Sequence, residues 1–182
     1  MKSIKDMTNV ELAAFVQNHL KEKGIDVVLS GGACVSFYSK YKYVSMDLDL
    51  INTYFAKRRD IRESMEKMGF SEEGRHFVHP DTNFYVEFPP GPLAIGEEPI
   101  KEVDEIKLDT GLLRIISVTD CVKDRLVAYY HWNDLQCLEQ ACIVALNSKI
   151  DLKEVERWSR REDKLDGFRR FLDEINEKEI QS

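Results

Sequence analysis

Residues 26–51 read DVVLSGGACVSFYSKYKYVSMDLDLI, and this decisive stretch carries the strongest indication of the fold. The apolar run 26–30 predicts a short buried strand, and the run 33–38 predicts the opening of a helix behind a tight turn. Gly31 and Gly32 occupy that junction. Glycine lets the backbone approach a ligand closely, and the exposed amides of a helix start favour an anion. The junction therefore predicts a phosphate cradle.

A pair of carboxylates follows the cradle. Asp47 and Asp49 are two residues apart, so on a strand both project from one face, while Leu48 and Leu50 project from the other. Two neighbouring anions repel unless a cation lies between them. Hard oxygen ligands suit Mg²⁺ or Mn²⁺, which also bridge the oxygens of a nucleoside triphosphate. Taken singly, a Gly-Gly turn and a solvated strand end are the ordinary interpretations; their succession favours a metal-nucleotide site.

The composition sets the class of protein. A chain of 182 residues with 43% hydrophobic content buries a proper core without disulfides. The longest apolar runs are too short for a membrane span, and the N-terminus lacks the apolar segment of a signal peptide, which predicts a cytoplasmic protein with no membrane partner. The cysteines form no Cys-x-x-Cys pair and sit in apolar contexts, which predicts reduced core residues. They are Cys34, Cys121, Cys137 and Cys142.

The net charge of −7 argues against broad attraction to nucleic acid. Two basic clusters, 57–59 and 157–161, lie on predicted helices with acids nearby. Both are typical of solvated helix faces, and a local patch for tRNA or a nucleotide is the alternative.

The remaining pattern predicts an α+β fold, in which a mixed β-sheet is flanked by helices and followed by a C-terminal helical bundle. Thr8 and Glu11 form a capping signal for a first helix that Gly24 ends. Three prolines place 89–92 in a loop. The other predicted strands are 75–79, 84–88, 101–107 and 112–117. The other predicted helices are 57–68, 120–130, 134–146, 152–160 and 164–177.

Glu87 is the predicted third carboxylate. Two-metal phosphoryl-type transfer needs a further acid near the Asp pair, usually from an adjacent strand. Glu87 lies between Val86 and Phe88 on an apolar strand, where an inward carboxylate is costly without a cation partner. An outward-facing edge residue is the alternative.

The chain resembles the nucleotidyltransferase superfamily, which has a palm domain of the DNA polymerase β type. The resemblance lies in the order of elements: a strand, Gly-Gly, a helix, the motif Ser-x-Asp-x-Asp-Leu and an acid on a later strand. Within this superfamily, the chain is similar to the small prokaryotic branch of minimal nucleotidyltransferases and abortive-infection nucleotidyltransferase toxins. The segments 120–126 and 131–134 are similar to the C-terminal helices of that branch. The resemblance implies a catalytic domain over 1–117 and a helical region over 118–182.

The resemblance also implies roles for individual residues. Asp47, Asp49 and Glu87 are the expected catalytic and metal-binding acids, with Glu87 activating the incoming hydroxyl. The expected nucleotide-binding residues are Ser30, Gly31, Gly32, Ser45, Lys123 and Asp134. Ala33 replaces a serine that is frequent in the wider superfamily, and Tyr43 stands where a basic residue often precedes the Asp strand.

The implied reaction is in-line attack of an acceptor hydroxyl on the α-phosphate of an NTP, with pyrophosphate leaving. A tRNA end, a protein hydroxyl and a small molecule all satisfy this chemistry, and an antitoxin protein is an implied partner. A catalytically silent member of the fold that binds nucleotide or a protein is the main alternative. A zinc site at His76 and His79 is disfavoured, because their spacing directs the two rings to opposite faces of a strand.

Overall fold

The computed structural model describes residues 2–181 and has one large sheet with helices packed on it. The helices are α1 (Asn9–Lys21), α2 (Gly31–Tyr38), α3 (Arg58–Lys67), α4 (Val118–Trp132), α5 (Leu135–Asn147), α6 (Leu152–Arg161) and α7 (Leu165–Gln181). The strands are β1 (Val27–Ser30), β2 (Asp47–Asn52), β3 (Ser71–Glu73), β4 (His76–Val78), β5 (Tyr85–Glu87), β6 (Ala94–Ile95), β7 (Glu98–Pro99), β8 (Val103–Leu108) and β9 (Gly111–Ile116). A short 3₁₀ helix, Ile4–Asp6, precedes α1.

The sheet is mixed, as the sequence predicts. Its strand order is β3-β4-β5-β2-β1-β9-β8, and β6 pairs with β7 in a separate hairpin. The pairs β1/β9 and β2/β5 are parallel, whereas β1/β2, β3/β4, β4/β5 and β8/β9 are antiparallel. The two strands of the decisive stretch, β1 and β2, therefore lie inside the sheet rather than at an edge. The predicted α+β class with a C-terminal helical bundle is confirmed.

Most predicted elements lie within a residue or two of their observed bounds. Three differences stand out. The predicted helix start at Ala33 is late, because α2 begins at Gly31, whose φ of +69° reverses the chain at once. Helix α7 continues to Gln181. The short β3 and the β6/β7 hairpin were not predicted, since segments of two or three residues carry too little periodicity.

The helical part packs directly on the sheet part. Helix α4 follows β9 after Ser117, whose side chain caps it by accepting a hydrogen bond from the Asp120 amide, and α4 packs against α2, α5 and α6. The cysteines are all free and buried, as predicted. Within residues 2–181, no helix is both long and apolar enough to cross a membrane.

Candidate active site

A row of polar side chains runs across four neighbouring strands. Ser30 on β1 pairs with Asp49 on β2, Asp49 pairs with Glu87 on β5, and Glu87 pairs with His76 on β4. Residues in register on adjacent strands project from the same face. Asp47 lies on that face too, because burial alternates along β2, with Leu48 and Leu50 buried and the two aspartates partly exposed. The structure therefore brings together the three acids that the sequence singles out.

The cradle glycines are required by close packing. A Cβ added to Gly31 would lie 2.1 Å from Oδ2 of Asp49, and one added to Gly32 would lie 2.8 Å from Oγ of Ser45. Any side chain at position 31 would also have to adopt a φ of +69°, which L-residues rarely do. Among the described residues, the Ser30 side chain makes no capping hydrogen bond to α2. The start of α2 thus lies against the Asp49 carboxylate and has no side-chain cap.

A buried hydrogen-bond network fixes the segment that enters β2. Nδ2 of Asn9 donates to Oγ of Ser36 at 2.9 Å and to the backbone oxygen of Ser45 at 3.0 Å. The Ser45 amide donates to Oγ of Ser36 at 2.9 Å. Asn9 and Ser36 are fully buried. The sequence analysis singled out neither Asn9 nor Ser36. The signal for each was a polar residue on an otherwise apolar helix face.

The electrostatics of the carboxylates favour a cation. Burial raises the pKa of Asp49 to about 6, and the negative charge of Glu87 adds to the rise. Oδ1 of Asp47 is buried and has no hydrogen-bond partner among the described residues. A hydrogen bond with the Asp47 carboxylate raises the pKa of Tyr85. A hard cation would supply the missing partner of Asp47 and remove the repulsion at Asp49, so the residues present fit Mg²⁺ or Mn²⁺.

These acids do not form a complete metal cage by themselves. Within the part of the chain that the structure describes, no group of three or more His, Cys, Asp or Glu side chains is arranged to hold a metal ion. Further ligands would have to come from the nucleotide or from water, as is usual for Mg²⁺.

Glu87 is held from the side of β4. Its Oε1 forms an ion pair with Nε of Arg75 at 2.9 Å and contacts Nε2 of His76. His79 has other neighbours: its Nδ1 accepts from the Asp81 amide at 3.1 Å, and its ring packs on Phe70. The two histidines therefore serve separate contacts, in agreement with the argument against a zinc site.

Arg125 on helix α4 acts on the site through its charge. Its positive charge opposes the rise in the pKa of Asp49. Its Nε donates to Oδ2 of Asp124 at 3.1 Å, and its Nη1 donates to Oε1 of Gln140 at 3.4 Å. Sequence reasoning passed over Arg125 and Asp124, although both lie beside the predicted Lys123.

Lys123 itself lies in a different cluster. Its side chain is 5% exposed, and Nζ pairs with Glu154 at 2.6 Å, Asp120 at 3.2 Å and Glu98 at 3.7 Å. Helical residues two apart are separated by about 200° around the axis. Lys123 and Arg125 consequently point to different sides of α4.

Asp134 serves as a helix cap. It is the N-cap of α5, and its Oδ1 accepts from the Cys137 amide at 3.0 Å, a bond that lowers the pKa of Asp134. Nη1 of Arg125 contacts Sγ of the same Cys137 at 3.8 Å, so Asp134 lies on the Arg125 side of α4 and not with Lys123. The nucleotide role of Asp134 stays a prediction.

The basic clusters are paired with acids. Arg58 contacts Glu72 at 2.8 Å and Arg157 contacts Glu98 at 2.6 Å, with comparable pairs at the neighbouring arginines. Their geometry agrees with solvated, ion-paired helix faces.

Comparison with known proteins gives the fold. No protein-family model and no curated protein matches the chain. The structure is similar to that of ANT(2″)-Ia in complex with adenylyl-2″-tobramycin, with a TM-score of 0.52, 15% sequence identity, and coverage of 90% of this chain and 98% of that one. It is also similar to the solution structure of the antibiotic-resistance factor ANT(2″)-Ia, with a TM-score of 0.50, 14% identity, and coverage of 95% and 97%. The resemblance to the nucleotidyltransferase superfamily predicted from the sequence is thus confirmed as a likeness of fold.

Proposed function

We propose that this protein is a metal-dependent nucleotidyltransferase that moves an NMP group from an NTP to a hydroxyl acceptor. The observation that carries the proposal is the placement of Asp49. It lies in register with Glu87 and directly against Gly31. One carboxylate therefore adjoins both the predicted phosphate cradle and the predicted third acid.

The cradle binds the triphosphate in this proposal. The start of α2 offers backbone N–H groups and the positive end of the helix dipole to phosphate oxygens. Gly31 and Gly32 carry no side chain of their own, so the carboxylate of Asp49 and the hydroxyl of Ser45 lie directly against them, and the Ser30 side chain does not cap the helix. Asp47 and Asp49 would hold Mg²⁺ or Mn²⁺, which, when bound, neutralises phosphate charge as a Lewis acid.

Glu87 receives the proton of the attacking hydroxyl. The acceptor oxygen forms a bond to the α-phosphorus, the bond from that phosphorus to the bridging oxygen of pyrophosphate breaks, and the hydroxyl proton passes to the Glu87 carboxylate. Contacts with Arg75 and His76 hold that carboxylate in place. Positioning of the two reactants supplies much of the rate in such transfers.

A small-molecule acceptor is favoured over RNA. ANT(2″)-Ia has been solved with adenylyl-2″-tobramycin, an adenylylated small molecule. The net charge of −7 disfavours a polyanionic acceptor and favours a neutral or cationic one. The toxin role, the antitoxin partner and the cytoplasmic location remain predictions from the sequence.

A catalytically silent protein of this fold would not need its three acids to lie close together. A descendant that only binds a partner would tolerate divergence of Glu87 from the Asp pair, because nothing would select their convergence. The register pairing of Asp49 with Glu87 supports an active enzyme over that alternative.

The test is calorimetric titration of each of the four NTPs, with and without Mg²⁺ or Mn²⁺, into wild type and the double variant Asp47→Asn/Asp49→Asn. The control is Asp109→Asn/Asp173→Asn, which makes the same chemical change at two exposed positions. We expect metal-dependent binding in wild type and control and its loss in the site variant. Unchanged metal-dependent affinity in the site variant would contradict the metal assignment. Labelled NTP and a panel of hydroxylated small molecules then test transfer.

A further inference from the structure

Tyr43 places a free hydroxyl at the cradle. Its oxygen lies 3.7 Å from the position that a Cβ on Gly32 would take, on the same side as Oγ of Ser45. The ring packs against the hydrophobic core. The hydroxyl makes no hydrogen bond to any residue among 2–181, whereas Tyr38 and Tyr41 both use theirs. Among residues 2–181, the Tyr43 oxygen is not one of the buried polar atoms that lack a partner, so solvent reaches it and it can donate to a ligand.

The position of Tyr43 is fixed by the fold rather than by a mobile loop. After α2, Lys40 and Tyr41 adopt φ values of +55° and +61° and turn the chain back. The Tyr41 amide donates to the Ser36 oxygen at 2.8 Å, and the Tyr43 amide donates to Oγ of Ser39 at 3.3 Å. Ser36 and Ser39 are both fully buried. The segment that carries the hydroxyl is therefore anchored to α2 at two points.

Ser45 supplies a second hydroxyl at the same place. Its Oγ accepts from the Asp47 amide at 3.3 Å, and this bond uses a lone pair and leaves the hydroxyl proton free. Each of the two hydroxyls can thus donate to a phosphate oxygen.

We propose that the Tyr43 hydroxyl, together with that of Ser45, binds the triphosphate of the nucleotide by direct hydrogen bonds, in place of a cationic side chain. The inference rests on the proposed function, because it requires an NTP in the cradle.

Tyr43→Phe isolates the hydroxyl, because it keeps the ring that packs on the core. A hydrogen bond to a charged group contributes enough that its loss weakens binding roughly ten- to a hundred-fold. We expect this loss in the Kd for ATP with Mg²⁺, and the same fold-change for inorganic tripolyphosphate with Mg²⁺, because the contact is to phosphate. The control is Tyr41→Phe, whose hydroxyl contacts Thr8 at 3.2 Å and lies outside the cradle in this proposal.

The outcomes separate the two proposals. Failure of wild type to bind any of the four NTPs with Mg²⁺ contradicts the proposed function and this inference with it, and if another NTP binds, that NTP replaces ATP in the comparison. Binding by wild type with equal affinity in Tyr43→Phe and Tyr41→Phe overturns the role of Tyr43 alone. A loss for ATP without a loss for tripolyphosphate would also overturn it, because the hydroxyl would then contact the base or the sugar. Thermal unfolding of each variant verifies that the fold is intact.

Discussion

Oδ2 of Asp49 lies 2.1 Å from the position that a side chain on Gly31 would occupy, so the carboxylate fills the space that glycine leaves open. On its other side, Asp49 is in register with Glu87. The carboxylate of Asp49 therefore lies between the predicted phosphate cradle and a second acid. Burial and the negative charge of Glu87 raise the pKa of Asp49, and the close approach of its carboxylate makes glycine necessary at position 31.

Protonation of Asp49 should control the pH dependence of stability in metal-free protein. Its folded pKa is raised from 3.8 to about 6, so between these values the folded state binds more protons than the unfolded state. The free energy of unfolding then falls as the pH rises from about 4 to 6 and stays lowered above that range. We expect Asp49→Asn to remove this dependence and to stabilise the protein at pH 7 by about 2–3 kcal/mol.

Denaturant unfolding across pH 4–8 measures this effect, with Asp109→Asn as the control. Added Mg²⁺ should raise the stability of wild type at pH 7 and leave Asp49→Asn unaffected. A variant with the pH profile of wild type would show that Asp49 is not the group that titrates.

Gly31→Ala should destabilise the protein more than Gly24→Ala. Both glycines have a positive φ, +69° and +72°, but a Cβ on Gly24 meets nothing within 4 Å. Gly24→Ala thus reports the backbone cost alone, about 1 kcal/mol. Gly31→Ala adds the displacement of Asp49, for a total of about 3 kcal/mol. Equal unfolding free energies for the two variants would mean that Asp49 moves aside at no cost.

Glu87→Gln should abolish transfer while sparing NTP binding. The amide keeps the size of the side chain but cannot accept the hydroxyl proton, and removal of a general base typically lowers the rate by about 10²–10⁴-fold. Single-turnover transfer of labelled NMP measures the rate, and calorimetry measures the NTP affinity. Glu105→Gln, on the exposed face of β8, is the matched control. Unaltered turnover in Glu87→Gln would remove this residue from the mechanism.

Lys123→Met should lower stability and leave NTP affinity unchanged. The substitution removes the ammonium group with which Glu154 and Asp120 form ion pairs, and the lysine side chain that carries it is only 5% exposed. Removal of one member of a buried ion pair lowers the free energy of unfolding by about 3–5 kcal/mol. We expect a smaller loss here because the acids are partly exposed. Lys153→Met, on the exposed side of α6, is the control. A selective loss of NTP affinity in Lys123→Met would instead support the phosphate role that the family resemblance implies.

Features that depend on a few neighbouring residues could be predicted from the amino-acid sequence alone. Alternation along β2 placed Asp47 and Asp49 on one face, because side chains of a strand alternate with a period of two. The capping signals were equally local: Thr8 with Glu11 forms a complete capping box, and Asp151 caps α6. Such interactions span one helical turn, so they are visible in the order of the residues.

Contacts between distant residues depend on the tertiary structure. The register of β5 on β2 set Glu87 opposite Asp49, and the packing of α4 against α6 placed Lys123 beside Glu154. Tyr43, which departs from the sequence pattern of the family, was placed beside Gly32 by the turn after α2. Strand register and helix rotation are set by the packing of the whole core, where residues far apart in the chain compete for the same space, and no local pattern encodes that outcome.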